Sequence, residues 1–362
     1  MLRFPLILLV SVGVFGAGFA QHLQGIFMHG GDCKVSQIYR PYTNGKGKAE
    51  VVQTELKSYY SSAAAVYAGN VYIFGGSPNL NGASAVKDTQ IFDPLTNTTR
   101  MGAPMQMERV MHTATTYGAY ILICGGMDQS FTNVPQCEAY DPVNDKWMYW
   151  QNNMSNPVHS HGAAVLRQPA GIAVDGMRVF SNIYYVFGGY DKTNKPTADV
   201  YAGKYDPAFD YLNKVTPMTM PRADFSSALI ANHLLACGGW SKEGDLKAMI
   251  KISQTCEVFD PITMAWSEYK DMTGPRQYQQ IVSWTYPEFE PFSDTFILGG
   301  FNQFLKASQD TVERYTFRGA KLMDVNMSMP CSSMIAVAVG EGSGCGQKGA
   351  VSFKEADRDD MW

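Results

Sequence analysis

The stretch Val71-Tyr72-Ile73-Phe74-Gly75-Gly76 decides the fold of this chain, because close copies of it return along the whole sequence. Each copy is a β-branched and aromatic run, typical of a strand, and ends in two glycines whose backbone can turn sharply. A unit that returns in this way predicts a repeat architecture. The other five copies lie at 25–31, 121–126, 184–189, 234–239 and 296–300.

Two further features accompany the Gly-Gly strand in a fixed order. A second strand runs into an Asp-Pro turn, in which Asp accepts hydrogen bonds from the backbone ahead and Pro presets φ. A Met followed four residues later by Arg then leads into the next strand. The turns are Asp93-Pro94, Asp141-Pro142, Asp206-Pro207 and Asp260-Pro261, and the Met to Arg approaches are 105–109, 218–222 and 272–276. Approaches without the Arg run from Met154 to Val158 and from Met327 to Cys331.

This order of features resembles the kelch repeat over about 21–340. Trp147 and Trp266 stand six residues after the Asp of their turns, as in the family, whereas blades one, two, four and six lack this Trp and blade six has Thr316 in place of Asp. The resemblance implies an all-β, six-bladed β-propeller with one four-stranded blade per repeat.

The two ends of the repeat region predict how the ring closes. The first repeat begins directly at its Gly-Gly strand, while the last is followed by a further apolar strand at 332–340. We therefore expect the C-terminal strand to complete blade one, which removes an exposed sheet edge.

The N-terminus predicts export. Arg3 precedes an apolar run from Phe4 to Phe15, and small residues lead up to Ala20, so 1–20 is interpreted as a signal peptide and the protein as secreted and extracellular. A membrane anchor is the alternative, although the run is short for a span. Residues 341–362 are Gly-rich and then charged, and we expect a disordered tail there. The glycosylation sequons begin at Asn97, Asn153 and Asn326.

Export favours disulfides for the seven cysteines. Cys124 with Cys137 and Cys237 with Cys256 occupy the same two repeat positions, and we expect two equivalent cross-strand bridges, with buried free thiols as the alternative. Cys33 and Cys331 fall at the same end of blade one and are expected to latch the ring. Cys345 is then free to bridge another chain; the competing pairing is Cys33–Cys345 with Cys331 free.

The loops after Gly-Gly and the Met to Arg approaches open on the same end of the propeller. Aromatic and Arg side chains around a central depression are typical of binding hot spots. In the family, partners commonly dock on this end, which implies Arg109, Arg222 and Arg276 as partner-binding residues, joined by Tyr190, Trp240 and Phe301. The alternative is that the arginines hold neighbouring blades together. Insertions at 167–182 and 286–293 lengthen the opposite end, so the sequence leaves the binding end open.

Composition excludes some function classes. With a net charge of -4 nothing predicts nucleic acid or an anionic membrane as partner. His159 and His161 alternate on a strand entry and could hold a metal together, but His161 keeps the repeat position of His112, which favours a packing role. We therefore predict no catalytic residues, metal or cofactor, and a secreted binding module or scaffold for a protein or glycan. The alternative is a carbohydrate-acting propeller that resembles sialic-acid epimerases or galactose oxidase, with Glu138, Glu257 and Glu313 as tempting acids.

Overall fold

A computed structural model describes most of the chain between residues 25 and 339. The described residues contain strands, turns and loops but no helix, and accordingly none of them forms a helix suited to crossing a membrane. The predicted signal peptide, the tail and Cys345 lie outside this part. The described ranges are 25–33, 35–41, 47–80, 82–172, 178–204, 212–241, 251–285, 293–316, 319–323 and 326–339.

The strands form six four-stranded antiparallel sheets within the described residues, as expected for six blades. In chain order from the axis outward, blades 2 and 3 consist of Ala63–Tyr67, Asn70–Phe74, Thr89–Asp93 and Thr98–Met101, and of Thr113–Tyr117, Tyr120–Cys124, Gln136–Asp141 and Lys146–Asn153. Blades 4 and 5 consist of Gly162–Ile172, Arg178–Phe187, Val200–Gly203 and Asn213–Lys214, and of Ser226–Ile230, His233–Cys237, Cys256–Asp260 and Ala265–Tyr269. Blade 6 consists of Gln280–Thr285, Ser293–Leu298, Val312–Thr316 and Gly319–Leu322.

Blade 1 joins the two ends of the propeller. Its order is Ile335–Val339, Gly25–His29, Ser36–Pro41 and Gly47–Val52, so the last strand of the described chain is the innermost strand of the first blade. Gly25 pairs with Val339 and His29 with Ile335 in antiparallel register. Short extra strands outside the six sheets are Arg222–Ala223, Trp240–Ser241, Lys251–Ile252, Phe301–Asn302 and Ala307–Ser308.

The hydrophobic core is divided among the interfaces between blades. Six clusters of buried side chains are found in the described part, each shared by two neighbouring blades. Trp147 of blade 3 stands edge-on to Phe74 of blade 2 at 5.7 Å, and Trp266 of blade 5 lies 5.5 Å from Phe187 of blade 4. The repeat's Trp therefore fills the groove beside the preceding blade, because a sheet with two apolar faces must bury both.

A closed ring of backbone hydrogen bonds surrounds the propeller axis. Its six residues are called the axial ring below. Each lies two positions after the Arg position of its repeat. Each N–H donates to the carbonyl oxygen of the ring member in the preceding blade, at 2.9 to 3.4 Å, and the last bond returns to the first blade. All six have a left-handed backbone with φ between 52° and 57°. The axial ring is Ser61, Met111, Ser160, Asp224, Tyr278 and Ser333.

Three disulfides join the cysteine pairs that the sequence suggested. Cys124 with Cys137 and Cys237 with Cys256 are directly opposite each other on neighbouring strands, with Cα atoms 4.2 Å apart in both pairs. Cys33 and Cys331 bridge blade 1 to the segment that leads into its innermost strand, with Cα atoms 5.0 Å apart. Only the last bridge connects distant parts of the chain, so it fastens the joint of the ring.

The three disulfides should contribute unequally to stability. The Cys33–Cys331 bridge spans 298 residues and the Cys124–Cys137 bridge spans 13. The chain-entropy relation gives about 5–6 kcal/mol for the former loop and about 3 kcal/mol for the latter. We expect Cys33→Ser/Cys331→Ser to lower the free energy of unfolding more than Cys124→Ser/Cys137→Ser does, measured by urea denaturation. Equal losses would show that the long bridge does not hold the ring.

Candidate functional site at the Gly-Gly end

The Gly-Gly end is the end of the propeller at which the glycine pairs and the loops after them lie. At all six junctions the N–H of the second glycine donates to the carbonyl oxygen of the residue at the Arg position of the next blade. The pairs are Gly31–Tyr59, Gly76–Arg109, Gly126–Val158, Gly189–Arg222, Gly239–Arg276 and Gly300–Cys331, at 2.7 to 3.0 Å. Glycine is required here because a Cβ on Gly76, for example, would lie 2.9 Å from the Tyr60 carbonyl oxygen.

The arginine side chains bond in the opposite direction, to the blade that they enter. The Arg222 Nε donates to Glu257 Oε1 at 2.7 Å, and its Nη1 donates to the carbonyl oxygens of Gly238 and Thr255. Arg109 binds Glu138 in the same way, at 2.6 Å, and Arg276 binds Glu313. Each arginine therefore ties two blades together, with its backbone on one and its guanidinium on the other.

This arrangement corrects the sequence-based assignment of the arginines. A partner can be bound only by an accessible guanidinium, yet Arg109 and Arg222 are fully buried and Arg276 is 5% exposed. Their donors are used by neighbouring carboxylates and carbonyls. The prediction that they contact a partner is wrong, and the alternative that they hold blades together describes their contacts. Glu138, Glu257 and Glu313 are likewise their buried counterions.

The charged pairs occur together or not at all. Where the Arg position holds Tyr59 or Cys331, the Glu position of the same blade holds Gln90 or Gln37. Gln90 bonds both the N–H and the carbonyl oxygen of Lys57, and Gln37 accepts from the N–H of Met329. A neutral amide satisfies the same backbone without a buried charge, which is costly when it has no counterion.

The predicted aromatic residues lie on the Gly-Gly end, beside the approach segments that lead to the axial ring. Tyr190, Trp240 and Phe301 directly follow their glycine pairs, are half-buried, and pair through their backbones with the approach segments of their own blades. The Tyr190 ring stacks on His159 at 5.1 Å. The structure thus brings the aromatic residues, but not the guanidiniums, to this surface.

The sequence analysis did not identify Asp224, which lies on the axial ring at the channel mouth. Asp224 is buried and its Oδ2 accepts a hydrogen bond from the Tyr190 hydroxyl at 3.0 Å. Burial raises the pKa of this carboxyl, and hydrogen bonds from Ser160, Tyr190 and Tyr278 oppose the rise. Aligning the six repeats could have located this position. No common residue type would have drawn attention to it, however, because the repeats have Ser, Met, Asp or Tyr there.

The histidines near the channel are packing residues. His159 and His161 form hydrogen bonds with different residues. The His159 Nδ1 lies 2.8 Å from Asn133 Oδ1, and the His161 Nε2 lies 3.0 Å from Thr113 Oγ1. His112 and His161 pack against the first glycine of the preceding blade. Burial lowers the pKa of both to about 3, and the nearby Arg109 charge adds to this. Within the described ranges no group of three or more His, Cys, Asp or Glu could hold a metal ion.

Exposed apolar side chains stand on the loops of the Gly-Gly end. Leu80 and Phe131 lie on the loops of blades 2 and 3, and both Phe304 and Leu305 lie on the loop of blade 6. On the opposite end, Leu95, Val143 and Ile262 are exposed, each directly after an Asp-Pro, and Met264 is exposed in the same turn as Ile262. Val179 and Phe180 are exposed on the long hairpin of blade 4.

The sequons lie at three different places. Asn97 is exposed in the Asp-Pro turn of blade 2, and Asn326 is exposed beside Asp310 in the segment that leads to the last strand. Asn153 ends the outermost strand of blade 3. Glycosylation at these positions stays a prediction.

The buried Arg–Glu pairs predict that substitutions at the Arg position and at the Glu position have strongly coupled effects on the free energy of unfolding. Arg222→Met leaves the Glu257 carboxylate buried without a counterion, and we expect a loss of about 3–5 kcal/mol in the free energy of unfolding. The double variant Arg222→Met/Glu257→Gln should lose clearly less than the sum of the single losses, because the uncompensated charge is gone. Denaturant titration of both provides the measurement. Arg100→Met, which changes a half-exposed arginine, serves as control, and additive losses would contradict the interpretation.

The neutral histidines predict destabilisation by acid. With a pKa of about 3 in the folded state and 6.5 in the unfolded state, His112 stabilises the fold fully above pH 6.5, and this contribution is lost as the pH falls. The variant His112→Gln copies the Gln279 of blade 6 at the same repeat position. Between pH 7 and 5, the wild type should lose about 2 kcal/mol more unfolding free energy than this variant. Parallel curves would show that His112 titrates normally.

Comparisons with known proteins agree with this architecture. The Kelch motif model matches residues 221–273, which include all four strands of blade 5. Alpha-scruin of Limulus polyphemus is 25% identical over 287 residues, which cover 76% of this chain and 28% of the relative, and beta-scruin of the same organism is 23% identical with coverages of 76% and 29%. The chain thus spans less than a third of the length of these relatives.

Other matches are shorter or purely structural. Kelch-like protein 38 of Mus musculus is 31% identical over 142 residues, covering 39% of this chain and 22% of the relative. The solved structure of YjhT superposes with a TM-score of 0.59 and 14% identity, covering 83% of this chain and 98% of that chain, which is a likeness in fold. Together with its six sheets and its repeated Gly-Gly, Glu and Arg positions, this shows that the chain contains kelch repeats and folds as a β-propeller.

Proposed function

We propose that the protein is a secreted binding module or extracellular scaffold that holds a protein partner on its Gly-Gly end. The predicted signal peptide, the sequons and the three disulfides support export, since disulfides persist in oxidising compartments. Its kelch-repeat relatives support a protein partner.

The exposed apolar residues on its loops are the reason for choosing the Gly-Gly end as the binding surface. Phe304 and Leu305 are neighbours in sequence and 82% and 66% exposed, although such side chains are normally turned inward. The Cβ of a residue at Gly82 would contact Val110 and Phe131, so the loops of blades 2 and 3 adjoin. Large apolar residues on adjoining loops of a rigid scaffold are typical of a protein interface.

The opposite end is the competing surface, but its apolar residues are arranged differently. Leu95, Val143 and Ile262 recur there at one repeat position, which reflects the repeat itself. Val179 and Phe180 are neighbours on the hairpin of blade 4, but they are only 43% and 42% exposed, and the Arg167 guanidinium lies 4.5 Å from the Phe180 ring. Loops vary in length at both ends, so the greater exposure of Phe304 and Leu305 favours the Gly-Gly end.

A carbohydrate-acting enzyme has less support. The glutamates that the sequence suggested as acids are bound to buried arginines. In the described part of the channel mouth, Asp224 is the one carboxyl group that lines the cavity, whereas glycoside hydrolysis commonly uses two carboxyl groups about 5–10 Å apart.

The proposal predicts an end-specific loss of binding. The full chain, expressed with its own Met1 in eukaryotic cells, should reach the medium, with Gln21 as its first residue by mass spectrometry. The secreted protein is then used to capture a partner from extracellular fluid. Phe304→Ser/Leu305→Ser should weaken this capture by at least about tenfold, as loss of a hot spot does.

The control changes an equal number of exposed apolar residues at the opposite end. Val143→Ser/Ile262→Ser, at residues 73% and 77% exposed, should leave capture unchanged. A reversed pattern would assign binding to the opposite end. A chain that stays inside the cell, or one from which neither variant removes a captured protein, would overturn the proposal.

A further inference from the structure

A small cavity lies at the centre of the Gly-Gly end, where the axial ring meets the channel. Its volume is about 100 Å³, and it is lined by ring residues from all six blades together with the residues that follow several of them. This is room for about three water molecules and far below the roughly 300–1,000 Å³ of sites for drug-sized ligands. The cavity therefore suits the tip of an unbranched chain.

The cavity contains an acid without a counterion. Asp224 lines it and is only 7% exposed. No Lys or Arg in the described ranges forms an ion pair with Asp224, whereas the buried Glu138, Glu257 and Glu313 each have an arginine. Its hydrogen-bond partners are hydroxyl groups, which orient a carboxylate but do not neutralise it. A buried carboxylate is stabilised strongly by a cation.

The other polar residues of the lining carry no positive charge. The Gln279 Nε2 donates to the carbonyl oxygen of Cys237 at 2.7 Å, and the His161 Nε2 is engaged by Thr113. The unpartnered Gln279 Oε1 and His161 Nδ1 are themselves inaccessible, so they offer no contact to a ligand. The residues that line the cavity include no Lys or Arg, and a cation could be accepted there by hydroxyl groups of Ser61, Ser160, Tyr278 and Ser333.

We propose that this cavity binds the ε-ammonium group of a lysine that the protein partner presents on an extended segment. An ammonium has three donors and no acceptor, which matches the lining, and its charge compensates the Asp224 carboxylate. Its unbranched methylene stem fits a narrow channel mouth. Met111, Phe225 and Met334 line the same cavity and offer apolar surface to that stem. This inference rests on the proposed function, since it identifies what the Gly-Gly end recognises.

The test uses n-butylammonium chloride as a probe for the lysine tip, with n-butanol as its uncharged counterpart. Both are titrated into the secreted full chain at constant ionic strength, and binding is followed by calorimetry and by the change in Tm. Butylammonium should bind at a single site and raise the Tm, as any ligand of the folded state does, while butanol should not. Asp224→Asn should weaken the binding of butylammonium by at least about tenfold.

Two further variants keep the result interpretable. Asn tolerates the left-handed backbone of residue 224, where φ is 54°, so the Tm of Asp224→Asn without probe should stay near that of the wild type. Tyr190→Phe removes one hydroxyl from Asp224 and should also weaken binding. Asp191→Asn removes an acid of the same end that is bonded within its own turn, and should bind like the wild type. Equal binding of butylammonium by wild type and Asp224→Asn, or equal binding of butanol, would overturn the inference.

The failure of this inference can be told from that of the proposed function. If a partner is captured equally well by wild type and Asp224→Asn, the Gly-Gly end binds a protein but not through a lysine in the cavity. If butylammonium binding depends on Asp224 and no partner is captured, the cation site stands and the proposed function fails.

Discussion

Every blade of this molecule is positioned at the axis by the hydrogen bond that one member of the axial ring donates to the member before it. Each of these residues has a left-handed backbone, which costs about 1–2 kcal/mol for a residue other than glycine. Such a conformation persists only where bonds on both sides hold it. The two longest bonds of the ring, 3.2 and 3.4 Å, both involve Ser333, at the joint between the last strand and the rest. The geometry of all six junctions must therefore agree for the ring to close.

Around that ring the six blade junctions share one backbone hydrogen-bonding pattern but complete it with different side chains. The second glycine binds the backbone of the next approach segment at every junction. Three junctions use a buried Arg with its Glu, and two use an uncharged residue with Gln, one of them with a disulfide at the entry to blade 1. At the entry to blade 4 the two positions hold Val158 and Tyr201. The junction thus requires donors and acceptors at fixed places more than it requires charge, which explains why the Arg can be absent from half of the repeats.

Much of this architecture can be predicted from sequence, because the repeat carries it. The glycine pairs give the ends of the strands, and the antiparallel order of neighbouring strands then places Cys237 opposite Cys256. The role of the arginines could also have been predicted. Arg222 and Glu257 occur in the same blade, as do the other two pairs, and blades without one lack the other. The joint presence or absence of Arg and Glu indicates that the two residues are in contact, which neither residue indicates alone.

Other parts of the site could not be predicted from residue types. The axial ring is formed by backbone atoms, so residues as different as Met111, Asp224 and Ser333 occupy equivalent places and no pattern marks them. The burial of Asp224 depends on Tyr190 and Tyr278, which belong to neighbouring blades and are distant in sequence. Burial by neighbours across several interfaces is a property of the assembled ring, and a sequence read one repeat at a time does not contain it.

The pairing of Ile335–Val339 with Gly25–His29 also has a consequence for biosynthesis. Blade 1 leaves the ribosome before the other five blades, yet it obtains its innermost strand only after all of them have been made. Until then Gly25–His29 presents an unpaired edge of apolar residues, which invites pairing with other chains. The nascent protein must therefore keep its first blade incomplete while the other five form, and it stays vulnerable to misassembly until Ile335–Val339 has emerged.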